Sequence, residues 1–467
     1  MITLPQRSIN FFRFSVLYWL AVLAGVFLWS REWDVVRLAS TKQEEDLFGL
    51  FGFCVSCAIA FSAYLDFKKQ SLISMKKVVI ANLPYLVFLI FLTYTIEFGR
   101  HSWDYTQYEA AFRAIVAGDN PYLSNRYLYP PLFADLMVFV FRIGLRLFPL
   151  LGLGKSAWIF VFYVHQSSIL FFLMTSYYLS MRFVSQIGAD DATGTFLVSV
   201  LYLFNVPILR TLSFNQVNFY VLASVLGALL FLRSHPFLAG LSLVPGGFIK
   251  LYSFALCIPL LILKKWRALS GVLAGSILIL LIETNFFRTL QLWGQFIRFY
   301  LFFPVEQESS LFRNTSPMSF LRNSLEFLDT PDWLLGSVLG VVLMVILIWY
   351  AVRYFQRENM AVSVEKIPME LTSFRDLGHL LDFSVLTLLI TPSAWEHHYV
   401  IAIPLAIWVV VLRGRDIPWH VLLACSLVFL LPVYNVYPFS YLRLAGLIWL
   451  LILASPKRIE TRFGFES

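Results

Sequence analysis

Residues 100–132 read RHSWDYTQYEAAFRAIVAGDNPYLSNRYLYPPL and form a polar, aromatic-rich stretch between two apolar runs. Large apolar side chains recur in it at helical spacing: Tyr105, Tyr108, Phe112 and Ile115. This pattern predicts a short amphipathic helix that lies on a membrane surface. We expect the helix to end at Gly118 and the pair Pro130 and Pro131 to open the next helix.

The composition of the whole chain fits a membrane setting. Of the 467 residues, 59% are of the AVILMFWYC type and 14% are charged, whereas soluble domains contain roughly 45 to 50% and about 25%. At about 20 apolar residues per spanning helix, this content fills on the order of fourteen spans. The composition excludes a soluble globule, a disordered chain and a disulfide-rich framework. It predicts an all-α polytopic membrane protein without a separate soluble domain.

Fourteen apolar runs are candidate transmembrane helices, and we expect 12 to 14 of them to cross the membrane. They cover residues 11–29, 47–65, 78–96, 131–149, 157–180, 193–209, 217–232, 237–263, 268–284, 333–352, 379–394, 399–412, 419–433 and 440–454. No small-residue cleavage site follows the first run, so we interpret it as a retained anchor rather than a signal peptide.

The positions of the lysines orient these spans. Nine of the eleven lysines fall in loops that a single alternating topology places on the cytoplasmic side. Both termini are then cytoplasmic, and the loops 97–130, 285–332 and 395–398 face outward. The formal net charge of +8 is therefore an orientation signal. Nucleic-acid binding would need basic residues gathered on one exposed surface, so no nucleic-acid partner is expected.

The run 237–263 contains VPGGFIKLY, in which Pro245, Gly246 and Gly247 are expected to interrupt the helix and Lys250 puts a charge at membrane depth. Broken helices persist where the freed backbone groups face protein or a watery cavity. The break is therefore a candidate wall of a binding site. A kink with Lys250 reaching to the interface is the alternative.

Asp104 has two interpretations. It stands where the surface helix begins, with Gln107 three residues later, which is the spacing of an N-terminal capping box. Alternatively, a carboxylate beside Trp103, Tyr105 and Tyr108 could deprotonate a sugar hydroxyl, with the aromatic rings stacked on the sugar. Both interpretations stay open on the sequence alone.

A second outward corner is TPSAWEHHYV, residues 391–400. Two adjacent histidines beside a glutamate and Trp395 at a membrane boundary are not core filling, although interfacial anchoring by the aromatic residues is an alternative. Because His397 and His398 are adjacent and no HxxxH or HExxH spacing occurs, we expect no metal ion and no other cofactor.

A third outward segment, SSLFRNTSPMSFLRN at 309–323, is rich in hydroxyl groups and contains Asn314 and Arg322. It is either a solvated loop or part of a phosphate site, since the guanidinium fork suits bidentate phosphate binding. The chain has no GxxxxGK[ST] sequence for a nucleotide and no DxD pair for a nucleotide-sugar diphosphate. A nucleotide donor is therefore not expected.

These segments together resemble glycosyltransferase family 87. The family pattern of an Asp, a Tyr, a small-residue helix, GxxPY and YPPL is met by Asp104, Tyr108, Ala110, Ala111, Gly118, Pro121, Tyr122, Tyr129, Pro130, Pro131 and Leu132. Its GQVN element resembles the segment Asn215, Gln216, Val217 and Asn218, with Asn215 in place of Gly.

Three further elements follow in the family's order. Its AGL and IKLxP stretch is matched by Ala239, Gly240, Leu241, Ile249, Lys250 and Leu251, with Ser253 in place of Pro. Its NQS…R element resembles Asn314, Ser316 and Arg322, with Thr315 in place of Gln. Its SPxSWDHH element resembles Pro392, Trp395, His397 and His398, with Thr391, Ala394 and Glu396 departing from the pattern.

The resemblance implies a GT-C fold and the transfer of a hexose, in this family often mannose, from a polyprenyl-phosphate carrier to a hydroxyl of a glycan or glycolipid acceptor. The reaction would invert the anomeric centre on the outer face of the plasma membrane. The implied domains are an extra N-terminal hairpin at 1–77, a catalytic domain at 78–454 and a cytoplasmic tail at 455–467.

The resemblance also implies roles for single residues. Asp104 would be the base, His398 or His397 would assist it or bind phosphate, and Arg322 and Lys250 would hold the phosphate. Further donor-binding positions that match the family's motifs are Tyr108, Gln216, Asn218, Asn314, Ser316 and Trp395.

A transporter or flippase of lipid-linked sugars is the alternative function, because it would also need broken helices and outer arginines. Transporters usually show repeated halves and carboxylates inside their spans, and the sequence has neither a recognisable repeat nor a clear intramembrane acid. An assembly subunit without chemistry fits the clustering of Asp104 and the histidine pair less well.

Overall fold

A computed structural model describes residues 103–124, 127–150, 157–188, 197–198, 201–202, 205–282, 286–302, 314–327, 332–362, 369–413, 417–431 and 437–455. These residues form α-helices and short 3₁₀ helices, with no β-strand among them. The all-α fold predicted from composition is confirmed for this part of the chain. The spans predicted at 11–29, 47–65 and 78–96 and the N-terminal hairpin at 1–77 lie outside the described residues.

The helices of the first half are α1 Trp103–Ala117, α2 Pro121–Ser124, α3 Pro131–Leu150, α4 Ala157–Gln186, α5 Val206–Ser213, α6 Asn218–Ser234, α7 Pro236–Lys250, α8 Cys257–Ile262 and α9 Trp266–Ile282. Those of the second half are α10 Phe286–Phe302, α11 Pro317–Phe327, α12 Asp332–Val362, α13 Met369–Ile390, α14 Ile403–Arg413, α15 Trp419–Phe429 and α16 Leu442–Leu453. Tyr252–Leu256, Glu396–Ala402 and Phe439–Tyr441 are 3₁₀ helices.

Two of the described helices are long and apolar enough to cross a membrane: α4, and the segment 336–358 of α12. The α12 segment is only 11% buried against the rest of the protein. Its exposed side chains, such as Met344, Val345 and Phe355, would be costly to leave in water but suit lipid chains. Shorter apolar helices include α6, α7, α9 and α15. The count of fourteen spans stays a prediction.

The predicted surface helix is α1. It ends at Ala117, and Gly118 follows with φ of +90°, a conformation that glycine adopts without steric cost. All four side chains of the predicted apolar face are buried. They pack against α3, which begins at Pro131 as expected.

The interval 285–332, expected to be a loop, contains the helices α10 and α11. That expectation was wrong for these segments. Leu292 and Phe296 lie four residues apart on α10 and are buried, and the Phe296 ring packs 5.6 Å from that of Tyr122 beside α1. An amphipathic helix needs only such a stripe, which the charged residues around it obscure in a hydropathy profile.

The helix break in the run 237–263 is confirmed, but it lies further along the chain than expected. The helix α7 continues through Pro245 to Lys250, and the chain turns at Leu251, which has φ of 45°. The backbone N–H of Gly246 donates to Ser224 Oγ at 2.9 Å, and Gly247 O accepts from Leu251 N at 2.9 Å. Packing against α6 thus holds the helix intact past its proline, and the break falls directly after Lys250.

Close helix packing fixes the position of Lys250. The helix α7 packs against α6 on one side and α9 on the other. At Gly240 a Cβ would collide with the carbonyl oxygen of Ala268 on α9, so the two backbones meet where the AGL element lacks a side chain. The hydrogen bond between Lys250 and Asn218 then joins the C-terminal end of α7 to the start of α6.

Candidate active site

Three of the sequence elements meet at the Lys250 amine. Lys250 Nζ donates to Asn218 Oδ1 at 2.7 Å and lies 2.8 Å from His398 Nε2. Asn218 in turn donates from Nδ2 to the carbonyl oxygen of His397 at 3.0 Å. The amine lies 5.3 Å from the centre of the Tyr129 ring and 5.5 Å from that of Tyr252. The Lys250 amine is thus held by polar and aromatic partners rather than by a single carboxylate.

Gln216 joins this cluster to the surface helix. Its Oε1 accepts hydrogen bonds from Tyr129 OH at 2.7 Å and from Tyr108 OH at 3.1 Å. Burial raises the pKa of both phenols, and the negative charge of Asp104 is the next cause for Tyr129. Both hydroxyls therefore remain neutral donors that orient the two rings.

Asn215, which replaces the family's glycine, has φ of 56°. Asparagine tolerates this left-handed conformation better than most residues, so the departure from GQVN keeps the turn. The carbonyl oxygen of Asn215 accepts from His165 Nε2 at 2.8 Å, and its side chain accepts from Gln166. The turn before α6 is thereby tied to α4.

Asp104 lies in the first turn of α1, one residue after the helix begins at Trp103. It therefore does not precede the helix as an N-cap would, although a carboxylate in the first turn is favoured by the helix dipole. The residue is half-buried. It interacts electrostatically with Tyr129 and with Lys250. The predicted base thus stands within the electrostatic range of the predicted phosphate ligand.

The two histidines are held differently. His398 has both ring nitrogens in contact, with Nδ1 accepting from the backbone N–H of Trp395 at 3.2 Å and Nε2 facing Lys250. The His397 ring lies 4.5 Å away and nearly perpendicular to it. In a 3₁₀ helix successive side chains point about 120° apart, so the rings face different sides of the segment.

The segment 314–316 fastens the histidine corner. Asn314 Nδ2 and Ser316 Oγ donate to the carbonyl oxygen of Pro392 at 2.7 and 3.0 Å, and Thr315 Oγ1 donates to that of Ala394 at 2.8 Å. Asn314 Oδ1 also accepts from the backbone N–H of Ala394 at 2.9 Å. Two outward corners predicted separately are thus one unit. Asn314 and Ser316 bind backbone groups here and so position the histidine segment. Their contact with the donor stays a prediction.

Arg322 is half-buried on α11, the helix that follows this clamp. Its neighbours on the helix, Ser319 and Asn323, are anchored by Tyr441, whose hydroxyl lies 3.0 Å from Ser319 Oγ and accepts from Asn323 Nδ2 at 2.5 Å. Trp395 is half-buried at the start of the histidine segment. Contact of either residue with a substrate stays a prediction.

Sequence reasoning missed Arg210 and Glu396 as a pair. Arg210 Nε lies 3.4 Å from Glu396 Oε1, and the Arg210 guanidinium lies 5.3 Å from the centre of the Phe214 ring. In the sequence, the only indication of this pair was that Glu396 stands where the family pattern has an aspartate. Its arginine lies 186 residues earlier in the chain, a separation that no local pattern bridges.

Within the described residues, no group of three or more His, Cys, Asp and Glu side chains is suited to a metal ion. Independence from metal ions stays a prediction. The arrangement offers a carboxylate that can accept a proton, an amine and imidazoles that can hold an anion, and aromatic faces around them. These are the groups that a substitution at a sugar carbon with an anionic leaving group requires.

The chain matches a known protein family. The family model of glycosyltransferase family 87 matches residues 127–367, just over half of the chain. No curated protein and no solved structure matches the chain. The matched region includes Gln216, Asn218, Lys250 and Arg322 but begins after Asp104 and ends before the histidine pair.

Proposed function

We propose that this chain, which belongs to glycosyltransferase family 87 and is therefore a glycosyltransferase, transfers a hexose from a polyprenyl-phosphate carrier to an acceptor hydroxyl. The family and the apolar helices indicate a membrane protein. In our proposal the hexose is mannose, the acceptor is a glycan or glycolipid, and the reaction takes place on the outer face of the plasma membrane. The carrying observation is that Lys250 lies against His398 beside the Tyr129 and Tyr252 rings, with Asp104 acting electrostatically on Lys250 and Tyr129.

Asp104 is the proposed general base. It would take the proton from the acceptor hydroxyl as the oxygen attacks the anomeric carbon, while the bond from that carbon to the phosphate oxygen breaks. One such displacement inverts the anomeric centre. A carboxylate in this role needs no metal ion, since it acts on the hydroxyl directly.

Lys250 is the proposed partner of the departing phosphate. Its amine is held at 2.7 Å by Asn218 and faces His398 at 2.8 Å, so little reorganisation is needed as charge develops on the leaving group. Arg322 is the second proposed phosphate ligand. His398, held through Nδ1 by the Trp395 backbone, would donate a hydrogen bond from Nε2 to the same phosphate.

The lipid carrier is supported by the surroundings of the site. Several described helices, such as α4, α9 and α12, carry exposed apolar side chains, and the sequence lacks the motifs that cradle a nucleotide. A donor anchored by a long hydrocarbon chain could reach the site from the bilayer.

The test is to incubate the purified protein with polyprenyl-phosphate mannose and polyprenyl-phosphate glucose and to measure free polyprenyl phosphate. We expect release from the mannose donor in the presence of an acceptor, and equal release with EDTA present. The variant Asp104→Asn is the matched control. Turnover of GDP-mannose by the pure protein would contradict the proposal, and movement of the intact donor between leaflets without bond cleavage would favour a flippase.

A further inference from the structure

The histidine segment also carries polar groups that the catalytic proposal does not use. His397 is 6% exposed, and its Nδ1 has no hydrogen-bond partner among the described residues. Its ring lies 6.2 Å from that of Phe214. Its backbone carbonyl, in contrast, accepts from Asn218 and Thr211. The segment is therefore held by its backbone while the His397 ring nitrogen is left for another partner.

Glu396 is in the same situation. Its side chain is 5% exposed, Oε1 lies 3.4 Å from Arg210 Nε, and Oε2 accepts no hydrogen bond from the described residues. Leaving a buried carboxylate oxygen without a donor is costly. A protein does not usually keep such an oxygen at a purely structural position, where neutral side chains would pack at lower cost.

The groups around this oxygen define the chemistry that it would accept. The Arg210 side chain is 18% exposed, so the pair lies near the surface of the protein. It offers guanidinium donors beside a carboxylate acceptor. The Phe214 ring adjoins both Arg210 and His397 and provides an apolar face. A sugar can satisfy the guanidinium donors, the carboxylate acceptor and the apolar ring face at once. Each of its hydroxyl groups both donates and accepts, and the C–H face of its ring is apolar.

We propose that Arg210, Glu396 and His397 form a hexose subsite beside the Phe214 ring. In this subsite one sugar hydroxyl donates to Glu396 Oε2, and the oxygen of a neighbouring sugar hydroxyl accepts from Arg210. His397 Nδ1 forms a hydrogen bond with a third sugar hydroxyl, and the sugar ring stacks against the Phe214 ring. The identification of the ligand as a hexose rests on the proposed function. The sugar is either the transferred hexose of the donor or a sugar of the acceptor.

The direct test is saturation-transfer NMR on the purified protein with methyl α-D-mannopyranoside and methyl α-D-glucopyranoside. The protein must be kept in a detergent without a sugar headgroup, since a maltoside would compete. We expect the wild-type protein to give a saturation-transfer signal on the protons of at least one of the two hexosides. Glu396→Gln keeps the shape but loses the charged acceptor, so the dissociation constant should rise about tenfold or more.

Two further variants keep the test decisive. Arg210→Lys retains the positive charge but loses the fork and should also weaken binding, which covers the case in which Glu396→Gln does not fold. Glu358→Gln, on the partly exposed network at the other end of the bundle, is the matched control and should bind as the wild type does. Equal hexoside binding in the wild type and in both site variants would overturn the subsite.

The KM values for the lipid donor and for the acceptor show which of the two sugars occupies the subsite. A raised KM for the polyprenyl-phosphate hexose in Arg210→Lys places the transferred hexose in the subsite, and a raised KM for the acceptor places the acceptor sugar there. Unchanged values for both would overturn the subsite while leaving the transferase intact. Hexoside binding without any release of polyprenyl phosphate would instead support the subsite and contradict the proposed function.

Discussion

The two ends of the helix bundle bury charged groups in contrasting ways. The helix α13, Met369–Ile390, runs between them. In the second half of α13, Asp382 accepts from Arg353 Nη2 at 2.6 Å and from Arg357 Nε at 2.9 Å. Each arginine also donates to a carbonyl oxygen at the end of α16, at 2.7 Å to Leu451 and 3.2 Å to Ala454.

Beyond the C-terminal end of α13, the buried charged groups are only partly hydrogen-bonded. Glu396 has one cation at 3.4 Å and an oxygen without a hydrogen bond from the described residues, and Lys250 meets an amide and an imidazole. Where the protein itself satisfies a buried carboxylate with two arginines, the network joins helices. Where it leaves part of the hydrogen bonding open, a substrate can complete it. The fully paired Asp382 network therefore stabilises the fold, whereas the incompletely paired groups around Glu396 and Lys250 are available to a substrate.

The largest effect is expected from Asp104→Asn. Loss of a general base lowers a rate by about 10²- to 10⁴-fold, while asparagine has the same size and the helix start is unchanged. Release of polyprenyl phosphate measures the rate, and thermal unfolding should match that of the wild type. Glu109→Gln, which alters an ion pair on the same helix, is the control and should stay active. More than about a tenth of wild-type activity in Asp104→Asn, well short of that loss, would exclude the base role.

At the opposite end, Asp382→Ala should act on stability instead of chemistry. Removing one partner of a buried ion pair leaves two arginines uncompensated and costs about 3 to 5 kcal/mol. The midpoint of thermal unfolding should fall sharply, while kcat per folded molecule stays close to that of the wild type. A large drop in kcat with unchanged stability would contradict a purely structural role of Asp382.

Arg322→Lys should have a smaller effect, confined to the donor. It keeps the charge but loses the bidentate geometry, so turnover of the lipid donor should fall by about tenfold, the value of one charged hydrogen bond. Arg233→Lys at the exposed end of α6 is the comparison variant and should behave as the wild type. Equal losses in both would reduce the role of Arg322 to general electrostatics.

Labelling of single cysteines tests the topology with no expected effect on activity. Asp119 and Arg267 are exposed and lie toward opposite ends of the bundle in our topology. In a background without the native cysteines, Asp119→Cys should react with an impermeant reagent from outside, whereas Arg267→Cys should react only after the membrane is opened. The reverse pattern would place the site on the cytoplasmic side.

Local features of the fold were predictable because each depends on a few neighbouring residues. Glycine at 118 ends α1 through its positive φ, and one large apolar residue per helical turn marks the buried face of the same helix. The break after Lys250 was predicted in kind but placed too early, because the hydrogen bond from Gly246 to Ser224 comes from another helix.

The sequence by itself determined the all-α membrane class, the family and the residue types of the site. Only the tertiary structure decided which of them meet: Tyr108 with Gln216, Asn218 with His397, and Arg210 with Glu396. These partners are separated by 108, 179 and 186 residues in the chain. Backbone propensity and hydrophobic periodicity act over a turn or two of helix, whereas such pairings depend on how whole helices pack, which one sequence read locally does not specify.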